Sequence, residues 1–263
     1  MIKSQDSQNL YCNNLSVGYT NNGNKKIILE DINLSLKKGN FISLVGINGS
    51  GKSTLLRTLA GLQKALEGEV YLDKIKIAAI DPVQKSKTLS LVLTNQQISK
   101  NLTVLELVAL GRQPYTNWLG TLTDSDKEHI LKAIKATELE NFKNTSCFEL
   151  SDGQFQRALI ARALAQNTEI ILLDEPTTHL DLHHKASIFL LLKKIAHTHN
   201  KLILSTTHDI EFVLSLCDQM IVIKGKTCIT DTPDNLIKSG VFENLFPDNT
   251  IGFNTQSKQF FIR

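Results

Sequence analysis

Short apolar blocks separated by polar turns fill the first third of the chain. Residues 10–19, with a partial period of two, and residues 27–36, 41–45 and 69–77 predict β-strands, with a hairpin turn at Asn22, Gly23 and Asn24. A helix is expected at 52–62. Beyond the strand read at 90–94 (SLVLT) the period becomes helical. In 103–111 (TVLELVALG) and 125–139 (SDKEHILKAIKATEL) apolar positions recur at helical spacing, with Ser125 and Glu128 placed as a capping box. After a helix at 154–166, alternation returns: strand 170–173, helix 185–197, strand 201–205, helix 210–216, strand 220–223. This βαβαβ order predicts a parallel sheet with helices on both faces. The fold class expected is α/β, with a β-rich start, a helical insert and at most one further strand, 259–262, in the tail.

Composition removes several functions. At 41% hydrophobic and 21% charged the chain is not expected to be disordered, and its longest apolar runs, 170–173 and 188–192, fall far short of the roughly 18–20 residues that cross a bilayer. Any membrane role would have to come through a partner. The opening MIKSQDSQNL has no apolar core and no small-residue cleavage site, so no secretory signal is expected and a cytoplasmic location is. A formal charge of +3 without a basic, aromatic-interleaved run argues against nucleic acid. Cys12, Cys147, Cys217 and Cys228 form no CxxC pair and read as reduced thiols. His179 and His183 lie four apart but lack the glutamate that a hydrolytic zinc helix carries between its histidines. A solvated helix start is the better reading.

The chemistry sits in two stretches. GINGSGKST (46–54) fits the phosphate-binding loop, with Gly46, four residues, then Gly51, Lys52 and Ser53. Gly46, Gly49 and Gly51 let successive backbone N–H groups, from Asn48 and Ser50 to Thr54, converge on phosphate oxygens. Lys52 would reach the terminal phosphates, and the Ser53 hydroxyl would ligate magnesium. A Gly-rich turn that binds nothing is disfavoured by the strand before it and the apolar helix after it. IILLDEP (170–176) ends an apolar strand in Asp174, suited to holding magnesium, and Glu175, suited to deprotonating an attacking water. The carboxyl ends of parallel strands gather at one site, which favours that reading over a merely polar strand end.

LSDGQ (150–154), lying between these stretches, completes a set that resembles the ATP-binding cassette (ABC) ATPases, whose signature reads LSGGQ. The resemblance covers roughly residues 10–240. It implies a P-loop NTPase (RecA-like) parallel-sheet core at 10–95 and 166–240, with an N-terminal antiparallel β-subdomain, an inserted α-helical subdomain at 96–165 and a short extension at 241–263. It implies ATP hydrolysis with Mg²⁺, Tyr19 stacked on adenine, Leu180 and Asp181 in a dimer-contact loop, and His208 as the switch histidine. In the family two copies close head to tail on two ATP molecules. Ser151, Gly153 and Gln154 would then face the partner's nucleotide from a helix N-terminus, an anion site that cannot reach its own chain's loop. Asp152 replaces the usual glycine, and its side chain is expected to point away.

The family also places a glutamine, sensing metal and water, at the end of the strand read at 90–94. Strand position points to Asn95 and residue type to Gln96 or Gln97, of which Gln96 is preferred. The stretch 102–120 (LTVLELVALGRQPYTNWLG) is similar to that of cassettes driving import of iron–siderophore complexes, haem or cobalamin, where a GR-x-P-[YW] run follows the helix. This implies two transmembrane permease subunits as partners, contacted through Tyr115 or Trp118, and indirectly an external solute-binding protein. A soluble cassette in cofactor assembly or DNA repair, a cassette for another solute, and a nucleotide-binding scaffold without turnover are the other readings. Lys52, Asp174, Glu175 and His208 together disfavour the scaffold.

Overall fold

Gly23, at φ +81°, turns the chain so that β1 (Leu10–Asn21) folds back on β2 (Asn24–Leu36), with Asn21 opposite Asn24. The structure is a computed structural model describing residues 10–21, 23–94, 99–243, 245–246 and 250–263. β3 (Phe41–Val45) leads through the glycine loop into α1 (Lys52–Leu59), which stops short of the predicted 62 at a turn containing Gly61, φ +66°. The strand predicted at 69–77 is a hairpin instead: β4 (Glu67–Leu72) and β5 (Ile75–Lys76) flank Asp73, whose φ of +51° breaks the extended run. These elements form an antiparallel sheet in the order β2-β1-β4-β5.

Next come α2 (Pro82–Thr88), β6 (Leu89–Val92), α3 (Val104–Ala109), α4 (Asp124–Ala136), α5 (Asp152–Ala165), β7 (Ile170–Leu173), α6 (Leu182–Thr198), β8 (Leu202–Thr207), α7 (Ile210–Leu216), β9 (Gln219–Lys224), β10 (Thr227–Asp231) and α8 (Pro233–Lys238). The main sheet runs β10-β9-β3-β8-β7-β6, parallel throughout except for β10. Its central strands are apolar on both faces. Phe41, Val45, Ile171, Leu173, Ile203 and Val222 pack with the buried residues of α3–α7, while Ile42, Leu44, Ile170, Leu172, Leu204 and Ile221 pack with α1 and the antiparallel sheet. Covering on both sides explains why these strands read as unbroken apolar runs.

One helix cap needs correction. The capping box of α4 is Thr123 with Asp126, two residues before the predicted pair Ser125 and Glu128. Thr123 Oγ1 accepts from the Asp126 N–H at 3.2 Å, and Asp126 Oδ2 accepts from the Thr123 N–H at 2.9 Å. The strand expected in the tail is present as β12 (Gln259–Ile262); it pairs with β11 (Ile251–Asn254), which the sequence pattern does not predict, and Phe253 and Phe260 of this hairpin pack on Phe242.

Candidate active site

Parallel pairing brings the carboxyl ends of β3, β7 and β8 to one edge, where the segments around Lys52, Asp174 and His208 meet. Gly49 and Gly51 have φ of +77° and +102°, and a Cβ on Gly51 would stand 2.6 Å from Ile28 Cγ2, so this turn is closed to other residues. Gly51 caps α1 without a side chain, leaving the first N–H groups of the helix to a ligand. Lys52 is buried and donates to the Gly46 carbonyl at 3.1 Å and the Ile47 carbonyl at 3.3 Å. Its ammonium also lies 3.5 Å from Glu175 Oε1.

Asp174 Oδ1 accepts from Ser53 Oγ at 2.9 Å and from Thr206 Oγ1 at 2.8 Å. The Thr206 hydroxyl in turn accepts the Glu175 N–H at 2.8 Å. Glu175 is held at φ +46°, in the left-handed region that residues other than glycine seldom occupy. Its Oε2 lies 3.7 Å from His208 Nδ1 and accepts from Thr178 Oγ1 at 3.3 Å. Asp209, beside the histidine, is anchored by Thr177 at 3.0 Å and Lys185 at 2.7 Å. Tyr19 shares a 2.9 Å hydrogen bond with Thr54 Oγ1. Tyr19, Ile28, Asn48, Gly49, Gly51, Lys52, Ser53, Thr54 and Glu175 line a cleft of about 440 Å³.

The structure thus unites most of the predicted residues but not all. Ser151, Gly153, Gln154 and Asp181 are outside this cleft's lining. Ser151 caps α5 in a reciprocal box with Gln154, whose Oε1 accepts from the Ser151 N–H at 3.0 Å. Asp152 is exposed in the first turn. Asp181 caps α6, accepting from the backbone N–H and from Nδ1 of His184, each at 2.8 Å, and these bonds lower its pKa. Asn95, Gln96 and Gln97 lie outside the described residues. His179 precedes α6, at φ +68°, so its spacing to His183 is not a helical one.

The ABC transporter family pattern matches residues 29–178. The chain belongs to the ABC transporter family. This ABC ATPase is 41% identical over 234 residues to the uncharacterised ABC transporter ATP-binding protein MJ0873 of Methanocaldococcus jannaschii, covering 89% of this chain and 79% of the relative. It is 37% identical over 235 residues to the petrobactin import ATP-binding protein YclP of Bacillus subtilis, covering 89% and 92%. Among solved structures it is similar to the dimeric ATP-binding cassette MJ0796 bound to ADP and Pi in a post-hydrolysis state. There the TM-score is 0.72 at 33% identity, covering 85% of this chain and 98% of the other. The chain binds and hydrolyses ATP.

Sequence reasoning missed Thr206 and His184. The one available signal for Thr206 was a run of three hydroxyls, Ser205, Thr206 and Thr207, closing an apolar strand directly before His208. Arg112 and Tyr115 contact each other. Arg112 is buried, donates to Asp126 Oδ1 and the Ala165 carbonyl, both at 2.8 Å, and stacks 3.9 Å from the Tyr115 ring centroid. Tyr115 is therefore half-buried under a guanidinium, while Trp118 is 91% exposed.

Proposed function

We propose that this ATPase energises import of an iron–siderophore complex, haem or cobalamin through a membrane permease. It would work as a pair of copies on two permease subunits at the cytoplasmic face, fed by an external solute-binding protein. The observation that carries this reading is the 37% identity to a petrobactin import subunit over nearly its whole length. The exposed Trp118, within the stretch 102–120, supports it as the side chain offered to the permease. No helix among the described residues is long and apolar enough to cross a membrane, so the path for solute would belong to the partner.

In this reading the loop 46–54 cradles the phosphates, and Lys52 neutralises the terminal ones. Ser53 Oγ and the Asp174 carboxylate, hard oxygens hydrogen-bonded at 2.9 Å beside the loop, are the donors that would hold magnesium, as Mg²⁺ chemistry favours. Magnesium held there would spread the charge developing on the transferred phosphoryl group. Glu175 takes the proton as water oxygen bonds to the γ-phosphorus and the bond to the ADP oxygen breaks. His208, 3.7 Å from the far oxygen of Glu175, is assigned the switch role, and Gln96 the metal- and water-sensing role. The second copy supplies Ser151 and Gly153 N–H to the γ-phosphate. Tyr19 carries the adenine.

Co-purification from detergent-solubilised membranes tests the partnership. Recovery with a two-part permease is expected; recovery with a soluble assembly or DNA complex would overturn it. Titrating the cognate binding protein with ferric siderophores, haem and cobalamin then identifies the solute.

A further inference from the structure

The glycine at position 153 has no conformational reason to be there. It lies in the first turn of α5 without a positive φ, where alanine would serve a helix better. What excludes alanine is His184. A Cβ on Gly153 would stand 2.3 Å from His184 Cδ2 and 2.9 Å from its Cγ. The imidazole cannot swing away freely, because Asp181 holds its Nδ1 at 2.8 Å while also capping the backbone N–H of the same residue. Beside a carboxylate, Nδ1 carries the proton and donates. The ring's other edge, with Cδ2 and Nε2, rests on the signature turn.

We propose that His184 is a positioning residue that locks the Asp181 loop to the signature turn at Gly153 within one subunit. Asp181 and Ser151–Gly153 are the two segments this chain presents to its partner in the head-to-tail dimer, so this inference rests on the dimer put forward above. With the ring between them they meet the partner's nucleotide as one rigid surface. The hydrogen bond sets the ring, and the ring sets the turn. The position of Gly153 is therefore fixed from inside its own subunit, 31 residues downstream.

The test uses Glu175→Gln as parent and adds Gly153→Ala, His184→Ala, His184→Asn and the pairs of Gly153→Ala with each. Asparagine keeps a donor where Nδ1 stood but removes the ring edge. Thermal unfolding and ATP-driven dimerisation by light scattering are read for every protein. Gly153→Ala alone should lower the unfolding temperature and dimer affinity, and either His184 change should relieve both. With the ring edge gone, His184→Ala and His184→Asn should both dimerise about tenfold more weakly than the parent, the asparagine separating loss of the ring from loss of the bond to Asp181. Additive losses at 153 and 184, or parent-like dimerisation of both His184 variants, would overturn the proposal. If the parent itself never dimerises, the dimer reading fails and the rigid coupling across the interface fails with it. The unfolding cycle then separately reports whether His184 excludes a side chain at 153.

Discussion

Lys52 Nζ and Glu175 Oε1 lie 3.5 Å apart, so the ammonium assigned to the phosphates and the carboxylate assigned to the water proton neutralise each other across the cleft. A terminal phosphate entering the loop competes with that carboxylate for the same cation. Glu175→Gln removes the competing charge as well as the base. Hydrolysis should fall about 10²-fold or more while Mg–ATP binds more tightly than to wild type. Phosphate release and equilibrium titration check the two halves. A variant that hydrolyses at the wild-type rate would remove Glu175 as the base.

Thr206 joins the two carboxylates, donating to Asp174 and accepting from the Glu175 backbone. Thr206→Val keeps the shape and deletes both bonds, leaving a buried N–H unpaired at about 1–3 kcal/mol. We expect kcat to drop about tenfold with little change in ATP affinity, since a carboxylate displaced by a fraction of an ångström mainly harms the transition state. Thr206→Ser should restore the rate.

Arg112 and Asp126 pair at 2.8 Å with both side chains buried. Arg112→Ala would strand a buried carboxylate and should cost about 3–5 kcal/mol by denaturant unfolding. The Thr123 hydroxyl, its backbone N–H and the Arg112 guanidinium hold the Asp126 carboxyl down at about 2 against the pull of burial. Its unfolded value is about 3.9, so its contribution is complete above about pH 4 and disappears as pH falls toward about 2. Asp126→Asn should flatten that part of the acid unfolding curve.

Trp118 and Tyr115 should respond differently to the same insult. Trp118→Glu, on an exposed side chain, should change stability by no more than about 0.5 kcal/mol and leave the isolated ATPase intact, yet uncouple the assembled transporter. Tyr115→Glu places a carboxylate into the Arg112 contact and should destabilise the subunit itself. Unimpaired transport by Trp118→Glu would remove it from the permease contact.

What could be read in advance follows from the distance over which each signal acts. The loop 46–54, the Asp174–Glu175 pair and the five parallel strands of the main sheet announce themselves through neighbours in sequence, and they stand where expected; the antiparallel β10 does not. α2 (PVQKSKT) and α8 (PDNLIK) are too short and polar to show a period. The α4 cap was misplaced because T-D-S-D offers two staggered starts, and only packing chooses Thr123. Thr206 and His184 were not legible because each acts on residues about 30 positions away. Nothing in a linear pattern records that an imidazole edge meets Gly153.

The backbone at Glu175, φ +46°, ties chemistry to evolutionary history. Asn and Gly tolerate that conformation better than Glu, so with bound nucleotide compensating the buried Lys52 ammonium, Glu175→Gly or Glu175→Asn should melt higher than wild type while failing to turn over ATP. Selection for robustness alone would then drift away from glutamate here. A population of such genes, released from the need to transport and kept only for folding, should lose its base before it loses its phosphate loop. Those inert descendants would still bind nucleotide and would look intact to any screen that scores solubility.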